Sequence, residues 1–505
     1  PLPDAGTGLS VRAVVVPIVV GTLVTVLSAL APARKAGQVK PVEAMRSSEA
    51  ATPQPLRWRT VAGLVLVATG VAAAVYAMGW DDGPTGRRAA LVGAAALAAI
   101  TGLFLAGPAL SLPVVPPLGR VIGAPFGAVG TLASTNTRRN PRRTATTAFA
   151  LMLGIALVTV IGMLGASMKR SVDDVATSEV SADFVLSGPQ NGVFPLPEDL
   201  PERLQSVEGA GETAAYTQAP ISVDGQFGYQ LGGFGVTDVL QGDPADLITL
   251  DMVAGSSSLD GNTIIAPEPL AQERGWHVGD TLTVAGPSGE SVQATLGGLF
   301  APSNILQSFV VSDEAAAATG ARGTGRILMI GVNNDGTVGE DQLRANLEEL
   351  VRHDIVVQVR STQDMAGEVS AMIDQMLFIL YALLSLAVVI AVLGIVNTLT
   401  LSVIERRQEI GMLRAVGTQR RQIRTMITLE SVQMTVYGAI LGVLLGLGLG
   451  WAFLTVLEAK GLTTIVVPWP LIGTVLAGSF VVGLLAAVWP AGRAAKTPPL
   501  DAIAE

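Results

Sequence analysis

The feature that most limits what this chain can fold into is a series of long apolar stretches that carry no charge. A helix needs about 20 apolar residues to cross the hydrocarbon core of a bilayer. Seven stretches free of Asp, Glu, Lys and Arg meet that length: residues 13–33, 60–80, 89–119, 144–168, 375–404, 431–457 and 461–492. One of them could be a buried core helix; seven in one chain point to a polytopic membrane protein. The third contains Pro108, Pro113, Pro116 and Pro117, so its helix is expected to end near Leu110. Composition agrees, since 14% of residues are charged where soluble chains carry about a quarter. Asn397 and Gln433 are the main polar residues within the spans, and interhelical hydrogen bonding is their expected role.

The charges outside these stretches are sorted. Residues 169–374 hold 30 Asp/Glu and 9 Lys/Arg, a net −21; the remainder holds 11 and 23, a net +12, which together give the −9 of the whole chain. Arginine and lysine crowd the loops after the first, third and fifth stretches, among them Arg34, Lys35, Arg138, Arg139, Arg142, Arg143, Arg406, Arg407 and Arg414. By the positive-inside rule these loops are cytoplasmic. Parity then puts the acidic block outside and the C-terminus inside, in a multi-pass plasma-membrane protein. An acidic polar block also argues against nucleic acid as a partner.

Enzyme chemistry has little to work with. There are no cysteines, and the two histidines, His277 and His353, are too far apart in sequence to suggest a zinc site or a histidine triad. His277 lies in Gly275-Trp276-His277-Val278-Gly279-Asp280, which reads as a turn. No Gly-x-x-x-x-Gly-Lys-Ser/Thr phosphate loop and no Gly-x-Ser-x-Gly elbow occurs in these residues. The chain is therefore expected to be no enzyme, with no catalytic, metal or cofactor-binding residues of its own. Residues 170–374 mix strand patterns (181–186, 221–228, 281–285, 291–299, 327–332 and 355–359) with a helical one at 341–353, an α+β reading.

Two segments carry more information. Met365, Val369, Met372, Ile373 and Met376 recur at helical spacing and run without a breaker into the fifth stretch. One helix of about 40 residues, from Thr362 to Leu401, would be roughly 60 Å long, twice the hydrocarbon thickness. That suits a stalk carrying motion from an outer domain to the inner face. Just after it comes Glu405-Arg406-Arg407-Gln408-Glu409-Ile410-Gly411-Met412-Leu413-Arg414-Ala415-Val416-Gly417. Ile410, Leu413 and Val416 are expected on one helical face, with Gly411 and Gly417 breaking or tightening the turns. A short amphipathic helix on the cytoplasmic membrane surface is the expected product. Farther on, Gly438, Gly442, Gly446 and Gly450 offer a close-packing face.

Glu405-Arg406-Arg407, Glu409-Ile410-Gly411 and Arg414-Ala415-Val416-Gly417 resemble the signature of FtsX/MacB-type ABC transporter permeases. The Asn140–Thr144 approach to the fourth stretch, segments 266–275 and 278–280, and the tail at 490–502 are similar to that family as well. The resemblance implies an α-helical polytopic membrane protein with an α+β extracytoplasmic domain inserted between the first and second helices of the FtsX-like module. It implies a separate ABC ATPase partner in two copies, with ATP and Mg on that subunit and none here. Glu405, Arg406, Arg407, Glu409, Ile410, Gly411, Leu413, Arg414 and Gly417 would form the ATPase-coupling helix, within 405–423. Pro41, Glu43, Pro499 and Asp501 would make secondary contacts on the same side. Membrane lipids and an extracytoplasmic lipoprotein or accessory protein complete the implied partners. The implied function is ATP-driven export or extraction of lipid, lipoprotein, peptide or drug; the alternative is an FtsX-like signalling subunit that regulates a cell-wall enzyme.

An internal repeat sets the expected domain boundaries. Residues 32–45 recur at 490–503, with five identical and four conservative positions of 14. Residues 1–59 are then the last span and tail of a first FtsX-like module whose front lies before Pro1, as in duplicated ten-span permeases. Residues 60–131 form a two-span insert, 132–169 the approach and first span of a second module, 170–374 its MacB-like outer domain, and 375–505 its three-span permease domain.

Overall fold

In a computed structural model of the chain, the described residues are 11–37, 56–80, 83–189, 194–231, 234–303, 305–321, 325–458, 462 and 464–496. Residues 1–58 and 59–505 form two separate units. The first contains α1 (Val11–Gly37), which covers the first apolar stretch. At the entry to the second, α2 (Leu56–Met78) and α3 (Thr85–Gly123) form a helical pair. Among the described residues, six helices are long and apolar enough to cross a membrane.

α3 corrects one expectation, because it runs through all four prolines instead of stopping near Leu110. Proline's fixed φ is already helical; its cost is the carbonyl four residues earlier, which loses its N–H partner. For Pro108 that carbonyl belongs to Phe104. Arg59 Nη2 donates to it at 3.4 Å, and the guanidinium sits over the Phe104 ring. Packing holds the rest of the helix, as Val115 is buried with Ala148 and Tyr437. At the other end of the pair, buried Arg88 donates to Ala77 O and Met78 O, the last carbonyls of α2. A cation there satisfies orphan acceptors and complements the helix dipole.

After a 3-10 turn (Ala124–Phe126) and Gly127 at φ +56°, the chain reverses into α4 (Gly127–Arg139), a helix inside what the charge pattern marks as an arginine-rich loop. α5 (Pro141–Glu179) then leads into the α+β domain. Along α12 (Arg420–Leu457), Gly438, Gly442, Gly446 and Gly450 all lie against α5, as their spacing predicts. A Cβ at Gly442 would stand 2.7 Å from Met152 O, so only glycine permits this approach. The polar residues of the spans behave differently from expectation. Gln433 is fully buried, yet neither amide atom has a hydrogen-bond partner among the described residues, and Asn397 points outward.

The α+β domain is built on one mixed sheet. Its strands are β1 (Phe184–Ser187), β2 (Ala210–Ala219), β3 (Ser222–Val223), β4 (Tyr229–Leu231), β5 (Phe234–Gln241), β6 (Met252–Gly255), β7 (Thr263–Pro267), β8 (Thr281–Ala285), β9 (Ser291–Phe300), β10 (Val310–Ser312), β11 (Arg326–Asn334) and β12 (Gln358–Ser361). They run in the order β12-β1-β11-β2-β5-β10-β7-β9-β8-β3, with β4 beside β5 and β6 beside β9. Helices α6 (Leu200–Leu204), α7 (Glu268–Arg274), α8 (Asp313–Ala318) and α9 (Glu340–Leu350) cover it. α9 presses Leu343 and Leu347 onto Phe184, Leu186, Ile330 and Val332. The 275–280 turn forms as read: Gly275 takes φ +71° to end α7, His277 is exposed, and its N–H donates to Asp280 Oδ2 at 2.7 Å.

One buried charge stands out in the domain. Asp238 on β5 is inaccessible, with Gln218 Nε2 donating to Oδ1 at 3.2 Å. Burial pushes its carboxyl above the usual range, while the neighbouring Tyr216, Tyr229 and Gln218 partly oppose the shift.

From β12 the chain passes directly into α10 (Thr362–Glu405), 44 residues and about 66 Å long, close to the expected stalk. A capping box starts it: Ser361 Oγ accepts from Asp364 N at 3.2 Å, and Asp364 Oδ2 accepts from Ser361 N at 3.0 Å. Arg344 of α9 pairs with the same Asp364 carboxylate. Below, Ile373, Leu377, Leu384, Ala391, Ile395 and Leu399 form a single buried stripe. Met372 and Met376, expected to share the apolar face with Ile373, are exposed.

Candidate functional site

At the far end of α10 the backbone breaks once and resumes. Arg406 is the C-cap of α10 and the N-cap of α11 (Arg407–Ala415), which is nine residues long. The helix stops by a glycine-dependent reversal. Gly417 takes φ +104°, its N–H donates to Arg414 O at 3.1 Å, and Thr418 N donates to Leu413 O at 3.0 Å. This is the paired pattern of a Schellman cap, and a residue with a Cβ would be strained at Gly417.

The helix is anchored by one side. Ile410 is 3% exposed and enters a cluster with Ala133 of α4, Ile423, Met426 and Ile427 of α12, and Ala491 and Ala494 of α13 (Trp469–Ala495), with Leu413 packed against it. Gly411 is buried within the helix, so it neither breaks nor caps a turn. Val416 departs from its expected place beside Ile410 and Leu413. It follows the last helical residue, and the reversal at Gly417 carries it outward to 90% exposure. Glu405, Arg407 and Glu409 are exposed on the other side, and Arg414 is half-buried. Pro41, Glu43, Pro499 and Asp501 lie outside the described residues.

Beneath the joint is a carboxylate that the sequence reading passed over. Glu430 of α12 is 2% exposed. Its Oε1 accepts from Asn136 Nδ2 of α4 at 2.8 Å and lies 3.4 Å from Arg406 Nη1. Arg406 Nε also donates to Glu409 Oε2 at 2.8 Å, so one guanidinium links the exposed face of α11 to the interior. Desolvating a carboxylate costs several kcal/mol, which only a matched cation and full hydrogen bonding offset. The signal was present in the sequence as a lone acid between Ile427 and Val432, one residue before the charge-free stretch as drawn. Asn136 gives no such signal, because it lies in a segment whose arginines mark it as a basic loop. Among the described residues no group of three or more His, Asp or Glu side chains is placed to hold a metal. The arrangement offers mechanical chemistry: an exposed charged face, a rigid anchor, and a direct helical connection to the domain about 66 Å away.

Two stretches of the chain match known family models. Residues 381–499 match the FtsX-like permease C-terminal family model, and residues 144–375 match the MacB-like periplasmic core domain. An uncharacterized ABC transporter permease of Methanocaldococcus jannaschii is 28% identical over 29% of this chain and 37% of its own length. The uncharacterized ABC transporter permease YvrN of Bacillus subtilis is 30% identical over 34% of this chain and 41% of its own. The macrolide export ATP-binding/permease protein MacB of Chlorobium luteolum is 36% identical over 22% of this chain and 16% of its own. The matches thus span less than half the length of each of these relatives. The chain carries an FtsX-like permease domain joined to a MacB-like periplasmic core domain.

Proposed function

We propose that this chain is the membrane subunit of an ABC transporter, driven by a separate ATPase docked on α11. The observation that carries the reading is covalent continuity: β12, α10, Arg406 and α11 form one path with a single break, at Arg406. The α+β domain would lie outside the cell and α11 and the C-terminus inside, as the arginine-rich loops favour. ATP-driven closure of two ATPase subunits would push α11, and α10 would pass the displacement to the domain. Work would then be done on cargo outside the bilayer, such as a lipid, lipoprotein, peptide or drug. Similarity to an ATP-binding/permease protein as well as to proteins named ABC transporter permeases supports an ATPase as the partner.

The test is affinity purification of the full-length protein from mild detergent, followed by mass spectrometry and an ATPase assay. A stoichiometric P-loop ATPase, lost in the pair Glu409→Lys and Arg414→Glu, is the expected result. Undiminished co-purification with that variant, in well-folded protein, would remove α11 as the docking element.

A further inference from the structure

The joint has a second attachment, and its placement is informative. If α11 were held by Ile410 alone, a push on its exposed face would bend the chain at Arg406, where the helix is already interrupted. The buried carboxylate of Glu430 meets that break directly. It receives Arg406 from the joint and Asn136 from α4, and it belongs to α12, of whose 38 residues twenty are buried. Arg143 of α5 adds a further positive charge facing it. A carboxylate with this little exposure serves no docking surface. Two side chains from other elements nevertheless converge on one oxygen, Oε1.

We propose that Glu430 is a positioning residue that makes α11, α4 and α12 move as one body, so that force on α11 turns the stalk instead of flexing the joint. This inference rests on the transporter reading above and adds to it the part that prevents slippage. A low-dielectric ion pair with an added hydrogen bond is stiff, because breaking it leaves a charge buried and unpaired. An apolar contact such as that of Ile410 can slide and repack at far lower cost.

The chain has no cysteine, so pairs of introduced cysteines can be spin-labelled cleanly. One pair, Val416→Cys with Leu132→Cys, reports the joint against α4; both sites are exposed. The other, Ile355→Cys with Trp469→Cys, reports the α+β domain against the bundle, again at exposed sites. Distances are measured by electron–electron resonance on the full-length complex with its ATPase, with and without ATP and vanadate. In the parent protein the joint pair should hold its distance while the domain pair shifts. In Glu430→Gln, ATPase capture should stay within twofold, the joint distance should change on nucleotide, and the domain shift should fall severalfold. Asn136→Ala, which keeps the ion pair, should fold normally and give an intermediate loss. It decides the matter if Glu430→Gln proves too unstable to purify.

A role in stability alone would lower the melting temperature and leave the ATP-driven domain shift of the folded molecules intact; that result overturns the proposal. So does an Asn136→Ala protein identical to the parent in both distances. If the parent captures no ATPase, or captures one without any domain shift, the transporter reading itself falls and this inference falls with it.

Discussion

α10 and α12 are both apolar enough to cross a bilayer, yet they are held in opposite ways. Of the 44 residues of α10, eight are buried, all along one stripe; of the 38 residues of α12, twenty are buried, facing α3, α4, α5 and α13 in turn. Hydropathy alone would have made them equivalent. The difference is that between a post embedded over more than half of its residues and a rod that keeps one contact stripe along its length and has a polar or apolar fastening at each end. The upper end is secured by the capping box and the Arg344–Asp364 pair, and the lower end by Ile410 and Arg406. A helix with more than half of its residues buried resists displacement, because protein interiors have few voids to absorb it. A helix with a single contact stripe can tilt or turn along that stripe, which is what transmission requires.

The largest effect should come from breaking the post. Gly442→Leu would drive a side chain into Met152 O and the Ile155 side chain, forcing α12 away from α5. We expect a loss of about 3 kcal/mol, seen as a lower melting temperature and a poorly monodisperse protein in detergent. The matched change on the rod, Gly394→Leu, meets nothing within 4 Å and should be neutral or slightly stabilising through helix propensity. Equal losses at the two sites would erase the comparison. Next comes Ile410→Ala, which removes the apolar anchor of α11 at about 2 kcal/mol of local packing, the low end for such a truncation because the helix is partly exposed. Hydrogen exchange should accelerate in 407–417 and stay slow in α12.

What could be read from the sequence follows the same division. Long-range period and composition gave the spans, the stalk from Thr362 and the glycine row of α12, because each of these depends on residues within one helix. The α11 segment was equally legible, and its glycine cap at Gly417 formed as local geometry demands. The failures are tertiary. Four prolines did not end α3, since Arg59 and the packing around Val115 support what the backbone lost. β2, with the sequence Ala-Gly-Glu-Thr-Ala-Ala-Tyr-Thr-Gln-Ala, has no strong strand propensity and exists because β11 and β5 flank it. Glu430 was missed because a single acid at the edge of an apolar run looks like the end of the run, until Arg406 and Asn136 arrive from elsewhere in the chain.

Smaller changes test the ends of the rod. Ser361→Ala removes half of the capping box, at about 1 kcal/mol, and should speed hydrogen exchange in the first turn of α10 without touching its lower half. If exchange rose along the whole helix, α10 would be a single cooperative unit whose stability depends on its cap, and the picture of a rod held at both ends would need revision.

The mildest test separates the α+β domain from the post by pH. Asp238 is buried, and its carboxyl is raised above the ordinary range, so the folded domain binds more protons at this site than the unfolded chain does. The contribution of this group is therefore most favourable below the ordinary carboxylate value of about 4, and it is lost as pH rises through the raised folded value. Asp238→Asn keeps the shape and an acceptor for Gln218 but cannot ionise. Its domain should consequently gain stability relative to the parent as pH rises, with the two differing least in acid. The readout is hydrogen exchange of β2 and β5 across that range, with the charge-free segment 438–450 of α12 as the internal reference that should not respond. A parent domain that grows more stable with rising pH relative to Asp238→Asn would mean that the carboxylate finds a better partner than Gln218 when ionised, and Tyr216 and Tyr229 would be the residues to change next.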